Sequence, residues 1–239
     1  MSKITSDLHN LQENWNKLGN TDTFWSILTD QKWNTSDFFL TGENEVNLLM
    51  KKIISSRLTI QKEKALDFGC GVGRISQALG RYFKKVYGVD ISPSMIKLAN
   101  KYNKFEKRCT YYLNSKADLS LFPNNTFDFI FSFRTLQHMN PIFIKKYIRE
   151  FLRILKPCGL LIFQLPTVPT LNLKGLFIRI TPIVILNRLR KMEMHGISKK
   201  EIIEIINKNK TRIIKIIEDN SSGSGWISFQ YWITKYSKA

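Results

Sequence analysis

Three glycines at alternate positions, Gly69, Gly71 and Gly73, stand in the segment Leu66-Asp-Phe-Gly-Cys-Gly-Val-Gly-Arg74. Glycine lets a backbone turn sharply and lets a ligand approach with no Cβ in the way. Further on, Asp90 closes the segment Tyr87-Gly-Val-Asp90. A carboxylate at a strand end accepts both hydroxyl protons of a ribose, one on each oxygen. A dinucleotide fingerprint needs Gly-x-Gly-x-x-Gly, and its last glycine would fall on Arg74. That bulky residue argues against a pyrophosphate on the helix start, and so against a nicotinamide oxidoreductase. His138, in Phe131-Ser-Phe-Arg-Thr-Leu-Gln-His138, is suited to be a general base near neutral pH, or else it only positions its loop. His9 and His195 have no motif around them. Cys70, Cys109 and Cys158 lie far apart and form no Cys-x-x-Cys pair, so neither a disulfide framework nor a metal site is expected.

Chemistry of this kind needs strand ends to hold it, and the pattern supplies them. Lys64–Phe68 reads as a short buried strand, followed by a helix over Val72–Phe83. Lys85–Asp90 is a second strand. Ser92 and Pro93 then form the N-cap and first turn of a helix to about Tyr102. Cys109–Leu113 is a third strand. Phe127–Phe133 is a continuous apolar run, as in a parallel strand covered on both faces. A helix over Ile142–Leu155, a strand over Gly159–Leu165 and a helix over Ser198–Asn207 follow. Thr211–Ile217 and Ser228–Thr234 close the sheet. Alternation of this kind predicts an α/β fold: a doubly wound, mostly parallel sheet of seven strands. Before it, Glu43–Arg57 has helical spacing. Residues 1–45, rich in Trp and Phe, are expected to form short helices. The expected division is a helical cap over 1–45 and a main domain over 46–239, with a substrate-cap insertion at about 166–195.

Over residues 43–165 the chain resembles the class I S-adenosylmethionine-dependent methyltransferase family. The resemblance rests on Asp67 with Gly69, Gly71 and Gly73, and on Asp90 at the end of strand two. Further support comes from Lys116-Ala-Asp-Leu before strand four and Leu155-Lys-Pro-Cys-Gly before strand five. It implies S-adenosyl-L-methionine as cofactor, with the glycine loop against its methionine part and Arg74 toward its carboxylate. It places Ile91 and Met95 at the adenine, unless Met95 is ordinary helix core. It makes Asp118 an acceptor for the exocyclic amine and the Leu119 N–H a donor to a ring nitrogen. Phe133 joins the cofactor contacts, and the loop carrying His138 faces the methyl acceptor. Phe38-Phe-Leu-Thr-Gly-Glu43 resembles a cofactor-covering segment of some members, and the C-terminal Gly223–Lys235 an antiparallel hairpin ending. Cys158 stands where the family has glycine and is expected to be structural.

The chain has 239 residues, 43% of them hydrophobic, which suits one α/β domain and excludes a disordered chain. Without a run of about 18 apolar residues no spanning helix is expected. The N-terminus has no signal-peptide stretch, so a reduced cytoplasm is the default. The net charge is +18, and residues 166–215 carry eleven Lys/Arg against three Glu. This excess is either compositional drift or an attraction for an anionic partner. The expected acceptor is a small or lipid-linked/glycan molecule, and within the basic cap at about 166–195 the apolar segment Leu176–Arg190 either walls a substrate pocket or makes peripheral membrane contact. A nucleic-acid methyltransferase, supported only by charge, and a non-catalytic S-adenosylmethionine-binding protein stay open.

Overall fold

The computed structural model describes residues 3–21, 23–29, 31–181, 192–209 and 211–236. Seven strands form one sheet: β1 (Lys64–Phe68), β2 (Lys85–Asp90), β3 (Cys109–Leu113), β4 (Phe127–Ser132), β5 (Leu155–Pro169), β6 (Thr211–Asp219) and β7 (Trp226–Lys235). Their order is β3-β2-β1-β4-β5-β7-β6. β2 pairs in parallel with β1 and with β3. β7 is antiparallel to β5 and to β6. This is the expected α/β sheet with its C-terminal antiparallel pair. Among the described residues the helices are α1 (Lys3–Thr21), α2 (Thr23–Ile27), α3 (Thr35–Ser55), α4 (Arg74–Leu79), α5 (Pro93–Lys101), α6 (Pro141–Ile154), α7 (Leu173–Ile180) and α8 (Lys199–Asn207).

The chain forms two compact units. The first is Met1–Lys116 with Thr126–Ile130; the second is Ala117–Asn125 with Phe131–Ala239. In the first unit every residue of β1 after Lys64 is buried. Phe83 stacks on Phe129 at 5.3 Å between ring centroids. Ser92 caps α5 by accepting from the Met95 N–H, with Pro93 at the first helical position, as the sequence predicts.

The N-terminal stretch differs from expectation. α1 is 19 residues long rather than a short helix. α3 starts at Thr35, eight residues before the helical pattern was legible, because Asn34 caps it by accepting from the Asp37 N–H. Phe38, Gly42, Val46, Leu49, Met50 and Ile53 form its buried face. Gly42 interrupts the apolar spacing for a steric reason: a Cβ there would lie 2.5 Å from the Arg74 carbonyl oxygen. Phe38 stacks on Phe24 at 4.4 Å, and Trp33 and Phe39 pack edge-on to it. The aromatic residues of residues 1–45 thus build a core of their own around Leu28, Phe38, Val72 and Met95.

In the second unit α6 buries Phe143, Ile144, Tyr147, Ile148, Phe151 and Leu152. Phe163 of β5 stacks on Tyr231 of β7 at 5.0 Å. β5 begins at Leu155, ahead of the expected Gly159, and Cys158 within it has φ +60°. That left-handed value explains why glycine suits the position. Cys158 is exposed, whereas Cys70 and Cys109 are buried thiols. Of the basic segment, 182–191 lies outside the described residues. No helix among the described residues is long and apolar enough to cross a membrane.

Candidate functional site

In the first unit, the chain leaves β1 and reverses into α4 through the glycine loop. Gly69, Gly71 and Gly73 have φ of +78°, +52° and +86°, values that L side chains rarely adopt. The Gly69 and Cys70 N–H groups both donate to the Val89 carbonyl, at 2.8 and 3.0 Å, which anchors the loop to β2. The Gly71 N–H donates to Asp90 Oδ2 at 2.9 Å, and the Ser92 N–H to Asp90 Oδ1 at 2.8 Å. One carboxylate therefore joins the glycine loop to the turn after β2. Burial pushes the Asp90 carboxyl above its ordinary range, and the N–H donors of Ser92, Gly71 and Ile91 pull it back. Beneath the loop, the Ser76 hydroxyl donates to buried Asp67 at 2.6 Å. Burial raises that carboxyl to about 7, against the opposing pull of Ser76 and Arg74. Over the turn, Gln12 donates to the Ile91 carbonyl at 2.9 Å, and Asn16 accepts from the Ser94 N–H at 3.1 Å.

In the second unit, the turn after β4 holds a chain of polar side chains. His138 Nδ1 lies 2.7 Å from the Glu193 carbonyl and its Nε2 3.1 Å from Gln137 Nε2. Gln137 Oε1 accepts from the Ser222 hydroxyl at 2.9 Å. Ser222 accepts from Gln164 Nε2 at 2.6 Å. Gln164 Oε1 in turn accepts from the Arg134 N–H at 3.2 Å. Arg134 has φ +56°, and its guanidinium lies 5.2 Å over the Phe133 ring. Phe133 stacks on Phe131 at 5.8 Å. Burial lowers His138 to about 4, so its ring is neutral at physiological pH.

Residues 66–163 match the family model described as a methyltransferase domain. That match covers less than half of the 239-residue chain. It is 31% identical over 108 residues to a ubiquinone biosynthesis O-methyltransferase of Xanthomonas oryzae pv. oryzae, 44% of each chain. It is 29% identical over 120 residues to the protein of that name from Coxiella burnetii, 50% of each chain. The chain thus spans about half the length of the curated relatives it matches. Its fold is that of magnesium protoporphyrin IX methyltransferase from Synechocystis PCC 6803 with bound S-adenosylhomocysteine (TM-score 0.66, 18% identity, 96% of this chain and 99% of that one). A Leishmania major S-adenosylmethionine-dependent methyltransferase shares it (TM-score 0.67, 13% identity, 95% and 82%).

Several side chains expected at the cofactor have protein partners. Arg74 donates to Thr41 at 3.1 Å and pairs with Glu45 at 3.3 Å, tying α4 to α3. Met95 is buried in the Phe38 cluster. The Leu119 N–H donates to Glu150 Oε2 at 2.8 Å, which commits the group expected to serve a ring nitrogen. Asp118 is exposed and accepts from the Ser120 N–H at 3.0 Å. Sequence reasoning passed over Gln137, Gln164, Ser222 and Arg134. Gln164 gave a signal: it is the one polar residue in the apolar run Leu160-Leu-Ile-Phe-Gln-Leu, and it is fully buried. Ser222, in a serine-glycine loop, gave none.

Proposed function

We propose that the chain is an S-adenosylmethionine-dependent methyltransferase that transfers a methyl group in line to a small-molecule acceptor. The observation that carries this reading is the Gly71 N–H to Asp90 bond within a loop of three left-handed glycines. The residues fit the cofactor. Each Asp90 oxygen has two lone pairs, so accepting from Gly71 and Ser92 leaves capacity for ribose hydroxyls. The three left-handed glycines put no Cβ on the loop, and one on Gly71 would lie 2.9 Å from Ile27 Cδ1. When bound, S-adenosylmethionine supplies a methyl group on a positively charged sulfur, already activated for displacement.

The protein's task is then positioning and exclusion of water. Asp90 and the glycine loop hold the nucleoside and methionine ends. The Glu193 carbonyl fixes the proton of His138 on Nδ1, and Gln137 occupies Nε2. His138 therefore serves by holding the segment around Glu193, and a proton-accepting role would require Gln137 to let go.

The small-molecule reading is supported by the likeness to ubiquinone biosynthesis O-methyltransferases over about half their length. A lipid-linked acceptor is the second form of the reading. It is favoured by the exposure of Leu171, Leu173, Leu176, Phe177 and Ile180 beside the basic Lys174 and Arg179. Calorimetry with S-adenosylhomocysteine tests the cofactor; no detectable binding would end the reading. Transfer of a labelled methyl group to small-molecule, lipid and RNA fractions of cell extract then tests the acceptor class. Label confined to RNA would overturn it.

A further inference from the structure

A cavity of about 420 Å³ opens in the second unit between α7 and the loop 222–226. That volume is ordinary for a small-molecule site. Leu173, Phe177, Ile178, Met194 and Trp226 form apolar walls, and Lys174 is the one charged residue among the described lining. The walls are held by specific contacts. Asn172 caps α7 by accepting from the Gly175 N–H at 2.9 Å, and its amide donates to the Ser224 carbonyl at 2.7 Å. The Thr170 N–H donates to the Gly225 carbonyl at 3.0 Å. Gly225 lets the loop come close to α7: a Cβ there would lie 2.7 Å from Ile178 Cδ1.

The electrostatics of the cavity select one kind of occupant. From Pro166 to Met192 the sequence has five Lys/Arg and no Asp or Glu. The next acid, Glu193, pairs with His195 at 3.2 Å. The Trp226 indole N–H is shielded from solvent and has no acceptor among the described residues. The described lining thus offers an ammonium beside apolar walls and the serine-glycine loop, with no carboxylate among its residues to compete. Ser222, on the cavity lining, belongs to the chain that runs through Gln137 to His138.

We propose that this cavity binds an apolar organic acid, its carboxylate facing Lys174. Binding of 2-naphthoate and of its neutral counterpart 2-naphthamide to the full chain, measured by calorimetry, tests it. The acid should bind at least tenfold more tightly than the amide. Lys174→Met should abolish that preference while leaving the amide and S-adenosylhomocysteine affinities unchanged; the second value shows that the variant is folded. Equal binding of acid and amide to the wild type, or an intact preference in the variant, would overturn the proposal. So would loss of phosphatidylserine-vesicle binding in Lys174→Met with naphthoate affinity unchanged, because the lysine would then belong to a membrane-facing surface. Absent S-adenosylhomocysteine binding with naphthoate preference retained would instead defeat the methyltransferase reading alone.

Discussion

His138 Nδ1 lies 2.7 Å from the carbonyl oxygen of Glu193, and that contact fixes the direction of every hydrogen bond behind it. A carbonyl only accepts, so the ring proton is on Nδ1 and Nε2 carries a lone pair. Gln137 must then present its amide nitrogen to His138 and its oxygen to Ser222. The Ser222 hydroxyl is spent on Gln137, so it accepts from Gln164. Gln164 is left with its oxygen toward the Arg134 N–H. A proton on Nε2 would face the Gln137 amide hydrogens and force the whole chain to reverse.

That relationship sets the pH response of the fold. His138 falls from 6.5 to about 4, chiefly through burial and with His195 adding repulsion, so the unfolded chain binds the proton first as pH falls. Its contribution to stability is complete above about pH 6.5 and is lost between there and pH 4. Urea unfolding at pH 7 and pH 5 should show the wild type losing about 2 kcal/mol more than His138→Gln. The same variant separates positioning from proton transfer. As a positioning residue, His138→Gln keeps kcat within about tenfold while His138→Ala raises the acceptor KM. A kcat loss of about 100-fold or more in both variants would assign the ring to general-base catalysis.

Asp90→Ala should reduce S-adenosylhomocysteine affinity by at least about 100-fold. Two ribose bonds to a charged acceptor go together, each contributing about 1.5–3 kcal/mol. The variant also strips the Gly71 and Ser92 N–H groups of their acceptor, so the glycine loop loses its tie to the turn after β2. Calorimetry decides it: affinity within about threefold of wild type would remove Asp90 from the ribose.

The strands and the residues at their ends were legible in sequence because each has a local cause. Gly69, Gly71 and Gly73 need left-handed backbone, and Ser92-Pro93 starts a helix in any context. Lys85–Asp90 and Cys109–Leu113 were read with the bounds the structure gives them. What escaped depends on distant partners. Arg74 looked free to reach a ligand, but Glu45 and Thr41 on α3 take its guanidinium. Nothing near Leu119 in sequence announces that Glu150 will take its N–H. The helical spacing was read only from Glu43, whereas α3 begins at Thr35, where Asn34 caps it.

Asp67 gives a pH effect of the opposite sign to that of His138. Its carboxyl, buried and hydrogen-bonded by Ser76, is raised from 3.8 to about 7. The folded chain therefore keeps the proton after the unfolded chain has released it, and stability falls as pH rises from about 4 to about 7. Asp67→Asn removes this dependence. Its unfolding free energy should exceed the wild-type value by more at pH 7 than at pH 4, by an amount on the order of 4 kcal/mol. A pH-independent difference between the two proteins would place the titration elsewhere.

Arg153 shapes the loop that carries Asp118. All five guanidinium N–H groups are used: two meet Glu150 at 2.8 and 2.7 Å, and the others meet the Phe122 carbonyl at 3.0 Å, Asn124 at 2.8 Å and the Leu119 carbonyl at 2.9 Å. Glu150, held below the usual carboxylate range first by the Arg153 hydrogen bond, also accepts from the Leu119 N–H. One ion pair thus fixes both the N–H and the C=O of Leu119, and with them the position of Asp118. Lysine keeps the charge but has three donors and no planar fork. Arg153→Lys should therefore leave two loop carbonyls without their donors and cost about 1–3 kcal/mol of stability. If Asp118 contacts the adenine, the variant also raises the S-adenosylhomocysteine Kd several-fold with kcat at saturating cofactor unchanged. A destabilised protein with unaltered Kd would show that the loop is structural and would take Asp118 out of the cofactor site.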